Sequence, residues 1–383
     1  MFRPAAPALL LLLVGACASS RPEEAAPGAL AAAPAREIPP PLSPAEIIRR
    51  MEASKVKYTV RPLEDCGVPE TRIAATLWPR RAPEYQFPVV SFEPNGQAAI
   101  RELTAPAEAF RFLQVAEEPF QAKRWDEAAA AYERALAVDP RFVPALLYEG
   151  DTFLLRGRPE DALPFYARAR QANPADHRGF YFAANALIAQ GRVEDAVSFY
   201  AEALARRPRH ESLRMGIESR LVKMGRRLRG DVVPFKGFAR KTEQGVEICT
   251  RTTPPWVAWS MCKGYWLGDA DHRREMLGSD LPVFSTTEES ECLLALLHGY
   301  DAVRANHPDP DLEELREIAL AGRLHDYVMI ELATRLDPHA ALRVRPEKRH
   351  FLVSYVLAHV LVEGAAPPAP VKGGSDELRQ ARR

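Results

Sequence analysis

Three prolines, Pro140, Pro174 and Pro208, stand 34 residues apart, and each closes a similar block. The blocks align as WDEAAAAYERALAVDP, PEDALPFYARARQANP and VEDAVSFYAEALARRP. Ala128, Ala162 and Ala196 share one register. Tyr132, Tyr166 and Tyr200 follow four residues later, then Ala135, Ala169 and Ala203. An exact period of this length points to stacked repeat units, because no single unit can bury its own apolar face. Alanine lets paired helices approach closely, the aromatic fills the hole between units, and proline ends the second helix.

This pattern resembles the tetratricopeptide repeat, in its period and in its Ala-x-x-x-aromatic core. Gly150 stands where that family has its first-helix glycine, and Gly157 and Gly191 fall in the turns between helices. Departures are Pro119, which should shorten or kink the first helix of repeat one, Ala184 in place of a glycine, and Pro164 inside the second helix of repeat two. The expected fold class is mostly α: about three repeats and a capping helix over 109–230, then a mainly helical C-terminal domain over 231–364 with a few short strands.

The resemblance implies a concave groove built from the first helices. By family position it should include Leu113, Glu117, Leu147, Tyr148, Asp151, Tyr181 and Asn185. Leu147 and Tyr181 stand where carboxylate clamps of the family carry Lys, and Asp151 would repel a carboxylate. A mixed apolar and aromatic groove suits a helix or extended segment of a protein partner. A further possibility is that the C-terminal region covers part of this face.

After Pro208, Leu213, Ile217, Leu221, Met224 and Leu228 form one apolar stripe, read as a single capping helix. Residues 206–229 hold nine Lys or Arg against two Glu. That patch reads either as a site for anionic lipid or an acidic partner, or as a solvated outer face.

The N-terminus reads as an address. Arg3 precedes an apolar run, Leu9 to Val14, too short to span a bilayer, and small residues lead to Cys17. Val14-Gly15-Ala16-Cys17 resembles a bacterial lipoprotein lipobox. The resemblance implies a signal peptide at 1–16, lipidation of Cys17, a membrane anchor and, with Ala18 in place of Asp, the outer membrane, facing the periplasm or the surface. Nine of the 34 prolines fall in the first 44 residues, so 17–44 reads as a disordered tether and 365–383 as a disordered tail. The flanking segment 45–108 starts with a helix and is expected to pack on the first repeat.

Lys plus Arg balance Asp plus Glu at 51 each, which argues against nucleic acid as a partner. In 231–364 a strand pair is expected at Val232–Phe235 and Gly245–Arg251. Helices are expected near 256–267, 287–305, 310–321, 323–336 and 346–363. Thr286 with Glu289 reads as a capping box, and Asp309 before Pro310 as a helix start. Residues 351–363 are apolar all round, as in a buried helix.

Trp256, Trp259 and Trp266 share a helical face and read as core. Seven of the nine His lie between 272 and 359, without a metal signature. No phosphate loop or nucleophile elbow is present, so no cofactor and no catalytic residue is assigned. Cys66, Cys249, Cys262 and Cys292 allow three disulfide connectivities, or four buried thiols. The helices carrying Cys262 and Cys292 make that pair the first choice, leaving Cys66 and Cys249 to pair or stay reduced.

The sequence therefore points to a membrane-anchored interaction adaptor or assembly factor and not to an enzyme. The alternative is a hydrolase-type envelope enzyme with its activity in 231–364 and the array as its targeting module.

Overall fold

The computed structural model describes residues 39–364. The signal peptide, Cys17, most of the tether and the tail lie outside the described residues.

Helix α1 (Pro44–Ala53) starts where Ser43 accepts a hydrogen bond from the Glu46 amide and Pro44 supplies the first-turn φ. Residues just before it already belong to the fold, because the Leu42 amide donates to Glu291 at 2.6 Å. Strand β1 (Tyr58–Pro62) and helix α2 (Glu70–Leu77) follow. A hairpin comes next, β2 (Pro88–Phe92) antiparallel to β3 (Ala98–Glu102), closed by the expected Pro94-Asn95-Gly96 turn. Only the end of this flanking segment, Leu103 and Ala105, lies on the first repeat.

Six helices then form three hairpins: α3 (Ala107–Gln121) with α4 (Trp125–Val138), α5 (Val143–Leu155) with α6 (Pro159–Ala172), and α7 (Arg178–Ala189) with α8 (Val193–Arg206). Ala128, Ala162 and Ala196 are fully buried at the helix contacts, as are Tyr166 and Tyr200. A Cβ on Gly150 would lie 2.6 Å from a Tyr166 ring carbon, so only glycine lets α5 and α6 approach this closely. Pro119 does not shorten its helix. It falls in the last turn of α3, which runs 15 residues. Pro164 is likewise held inside a continuous α6.

The capping helix is shorter than its apolar stripe. Helix α9 (Glu211–Leu221) buries Leu213, Ile217 and Leu221. A 3-10 turn follows and Gly225 takes φ +68°, which redirects the chain into β4 (Arg226–Leu228). Met224 and Leu228 therefore leave the helix.

The expected strand at Val232–Phe235 is a buried coil. The hairpin is β5 (Gly237–Thr242) with β6 (Gly245–Thr250), and β1 adds to β6 in parallel, Tyr58 opposite Val246 and Arg61 opposite Cys249. The sheet order is β1-β6-β5. Helix α10 (Pro254–Gly268) lies on this sheet, and Gly264 permits it, since a Cβ there would sit 2.4 Å from Ile248 Cδ1. Helix α11 (Ala270–Leu277) has no counterpart in the sequence reading. Helix α12 (Thr286–Asp301) is capped one residue earlier than expected, by Ser285, which accepts from the Glu288 amide. Asp309 caps α13 (Pro310–Leu320) with hydrogen bonds from the Asp311 and Leu312 amides.

Two later segments contain π-helical turns, Val328–Ala333 and Val356–Val360. The second ends in β7 (Leu361–Glu363), which pairs with β4, so the expected helix over 346–363 is interrupted. It is also one-sided: Leu352, Tyr355, Val356 and Val360 are buried while Phe351 is 47% exposed.

One core runs through α1, the third repeat's α8, the sheet, α10, α12 and the π-helical segments. The third repeat and the C-terminal residues are thus packed as one body. Two disulfides hold it: Cys66–Cys249, which pins the flanking segment to the sheet, and Cys262–Cys292, which staples α10 to α12. Trp256, Trp259 and Trp266 are all in this core.

Candidate functional site

The repeat tyrosines organise the first-helix face. Tyr166 Oη donates to Asp151 at 2.6 Å, and Tyr200 Oη donates to Asn185 at 2.8 Å. Each spans 15 residues within one repeat. Glu117 occupies the equivalent place opposite Tyr132 and stays exposed. Two of the residues expected to contact a partner therefore brace their own repeats. The Asn185 amide NH2 is left to donate outward, since only its carbonyl oxygen is engaged. Burial pushes the Asp151 carboxyl up to about 7, against the lowering effect of the Tyr166 hydroxyl.

Aromatic rings form two clusters beside these braces. Phe120, Tyr132 and Tyr148 meet at the junction of the first two repeats, with centroids 6.1 to 6.4 Å apart. Tyr166, Phe182, Tyr181 and Tyr200 meet at the next, at 5.4 to 6.0 Å. Phe120 and Phe182 were absent from the sequence-derived groove, although each neighbours a residue already singled out, Pro119 or Tyr181.

Leu113, Tyr148, Asp151 and Asn185 are half-buried on α3, α5 and α7. Leu147 is 1% exposed and belongs to the core between α5, α6 and α7, so it is no groove residue. Its leucine side chain gains more from that burial than from facing water. Tyr181 is covered by the capping helix: Arg220 donates to its hydroxyl at 3.1 Å, and Gly216 leaves room for it. Tyr181 is half-buried like the four residues above, and the capping helix holds its hydroxyl.

A second face of the array is occupied by the chain itself. Asn173 and Arg207 each precede a repeat-closing proline. Asn173 donates to the Pro88 carbonyl at 2.9 Å, and Arg207 donates to the Tyr85 carbonyl at 3.2 Å while pairing with Glu84. Between them, the Arg178 guanidinium stacks 3.8 Å over the Phe87 ring. Residues of successive repeats thus hold residues 84–88.

The basic run 206–229 faces inward. Arg206 pairs with Glu202, Arg209 with Asp231 and Glu331, Arg226 with Glu194, and Arg229 with Asp311 and Glu314. Arg214 donates to the Pro208 and Arg229 carbonyls. Lys223 and Arg227 remain exposed. Neither sequence reading of this run describes it; its main role is to fasten the array to the C-terminal residues.

The histidines are dispersed. His272 is buried against Glu291 at 3.1 Å, and half-buried His359 meets Glu314 at 3.3 Å. His298, His325 and His350 are exposed. Among the described residues, no group of three or more His, Cys, Asp or Glu is placed to hold a metal. No helix among them is long and apolar enough to cross a membrane.

Family models for the tetratricopeptide repeat match residues 116–177 and 153–217. The chain carries tetratricopeptide repeats over 116–217. Such repeats are protein–protein interaction scaffolds. No curated protein matches the chain. Similar solved structures include the first repeat domain of human RPAP3 (16% identity, 30% of this chain, 96% of that one, TM-score 0.27). The Yersinia enterocolitica type III secretion translocator chaperone SycD is another (18%, 30%, 89%, 0.28). YrrB, described as a repeat protein with an unusual peptide-binding site, matches over more of the chain (14%, 59%, 91%, 0.27).

Proposed function

We propose that this protein is a lipid-anchored adaptor or assembly factor of the bacterial cell envelope, held at the outer membrane through Cys17, whose repeat array binds a segment of a protein partner. The observation that carries the reading is the first-helix face: Glu117, Tyr148 and the outward Asn185 amide lie beside two aromatic clusters and are not consumed by the core. Aromatic surface with a few polar groups suits an extended or helical segment, in which exposed amides and carbonyls need partners. The two disulfides favour an oxidising compartment, in keeping with export.

The test has two arms. Palmitate labelling should disappear in Cys17→Ser if the anchor exists. Glu117→Ala with Asn185→Ala should abolish recovery of a specific crosslinked partner, whereas Tyr200→Phe, which breaks the same brace beneath the face, should leave recovery intact. Recovery of the same proteins by wild type and by the double variant would overturn the adaptor reading.

A further inference from the structure

Behind α2 and between α10 and α12 lies a cavity of about 370 Å³. Three charged groups converge on it. The Lys263 ammonium donates to Glu289 Oε1 at 2.8 Å and pairs with Glu288. Trp78 Nε1 donates to the same Glu289 oxygen at 2.9 Å. Both donors fall on Oε1. Glu289 is 1% exposed, lines the cavity, and its Oε2 has no partner. An unpartnered buried carboxylate oxygen is costly, and native structures rarely leave one without a reason.

The Lys263 ammonium pairs with both carboxylates, the Arg273 guanidinium also acts on Glu288, and burial pushes the Glu288 carboxyl above its ordinary range. Glu289 Oε2 is the acceptor this end of the cavity leaves without a donor. At the rim, Arg81 and Lys241 are exposed and carry no ion-pair partner among the described residues. Arg240 beside them is committed to Glu247 at 2.6 Å. The walls between floor and rim are apolar, with Leu77, Leu267, Val283 and Phe284.

We propose that this cavity binds a small zwitterionic amine, an α-amino acid or short peptide, with its ammonium against Glu288 and Glu289 and its carboxylate at Arg81 and Lys241. A primary ammonium supplies the donor that the floor lacks and faces its two carboxylates. A carboxylate answers the rim cations, and a short aliphatic body fits the walls. The volume lies within the range of small-molecule pockets. A neutral polyol would satisfy the spare acceptor and leave the rim cations unanswered.

Calorimetric titration of the full chain with trialanine tests this. Trialanine should bind, and N-acetyl-trialanine and trialaninamide should each bind at least about tenfold more weakly, as loss of a charge-assisted contact implies. Glu289→Gln should weaken trialanine by a similar factor. That residue is buried, so Arg81→Ala gives the independent check on a side chain exposed to solvent. It should weaken trialanine and leave the already weak trialaninamide unchanged. No heat from trialanine at millimolar concentration, equal binding of the capped peptides, or binding of maltotriose in their place would each overturn the proposal.

Discussion

Asp151→Asn should stabilise this protein at neutral pH and leave its stability unchanged in acid. Burial pushes the folded carboxyl up to about 7, from an ordinary value of 3.8. Below pH 4 both folded and unfolded chains are protonated at this site, and it contributes no difference. Between those two values the unfolded chain releases its proton while the folded chain holds on, so stability falls as pH rises. Three pH units correspond to about 4 kcal/mol as an upper bound, and about 2 kcal/mol is expected for a half-buried side chain whose surroundings relax. Asparagine keeps an oxygen to accept from Tyr166, so the repeat brace survives the change. Urea unfolding at pH 3, 5.5, 7 and 8.5 should show the two proteins equal at the acid end. The variant's advantage should grow to a plateau above pH 7. A variant less stable than wild type at pH 8.5, or a difference independent of pH, would refute the reasoning.

Gly150→Ala places a methyl 2.6 Å from the Tyr166 ring and should cost about 2 kcal/mol by chemical denaturation, the usual scale of overpacking. The disulfides close loops of 183 and 30 residues, so replacing Cys66 and Cys249 by Ala should cost about 5 kcal/mol, and Cys262 and Cys292 about 4 kcal/mol, measured against the oxidised wild type. Arg207→Ala removes a buried partner of exposed Glu84 and the donor to Tyr85; it should cost about 1 kcal/mol and raise amide exchange across residues 84–88.

The repeat array was legible because its information is local and redundant. Pro140, Pro174 and Pro208, the alanine triplets and Tyr132, Tyr166 and Tyr200 all report one period, and each acts within a hairpin. What was not legible depends on partners distant in sequence. The basic run 206–229 read as an outward face because Glu84, Asp311 and Glu314 lie far from it along the chain. Strand β1 has a parallel partner some 190 residues later, a pairing that no turn signal announces. Val232–Phe235 has the apolar composition of a strand, yet it is buried as coil, since its neighbours Gly237–Thr242 hold the ladder.

Family position placed the groove residues on α3, α5 and α7, but it cannot tell whether a side chain meets solvent or a neighbouring helix. Leu147 went to the core and Tyr181 went under α9 for that reason. Lys263, Glu288 and Glu289 carried no motif at all. Two glutamates in a first helical turn read as ordinary dipole-favouring charges. Their contacts with Trp78, from the flanking segment, and with one another form only in the fold.

The central claim is that the first-helix face of the array holds a protein partner. It is tested most directly by placing a photo-crosslinking amino acid at Glu117, on that face, and at Arg168, exposed on the second helix of repeat two. After illumination of intact cells, the account predicts a discrete protein adduct from position 117 and none of that mass from position 168. Identical adducts from both positions, or none from 117, would contradict it.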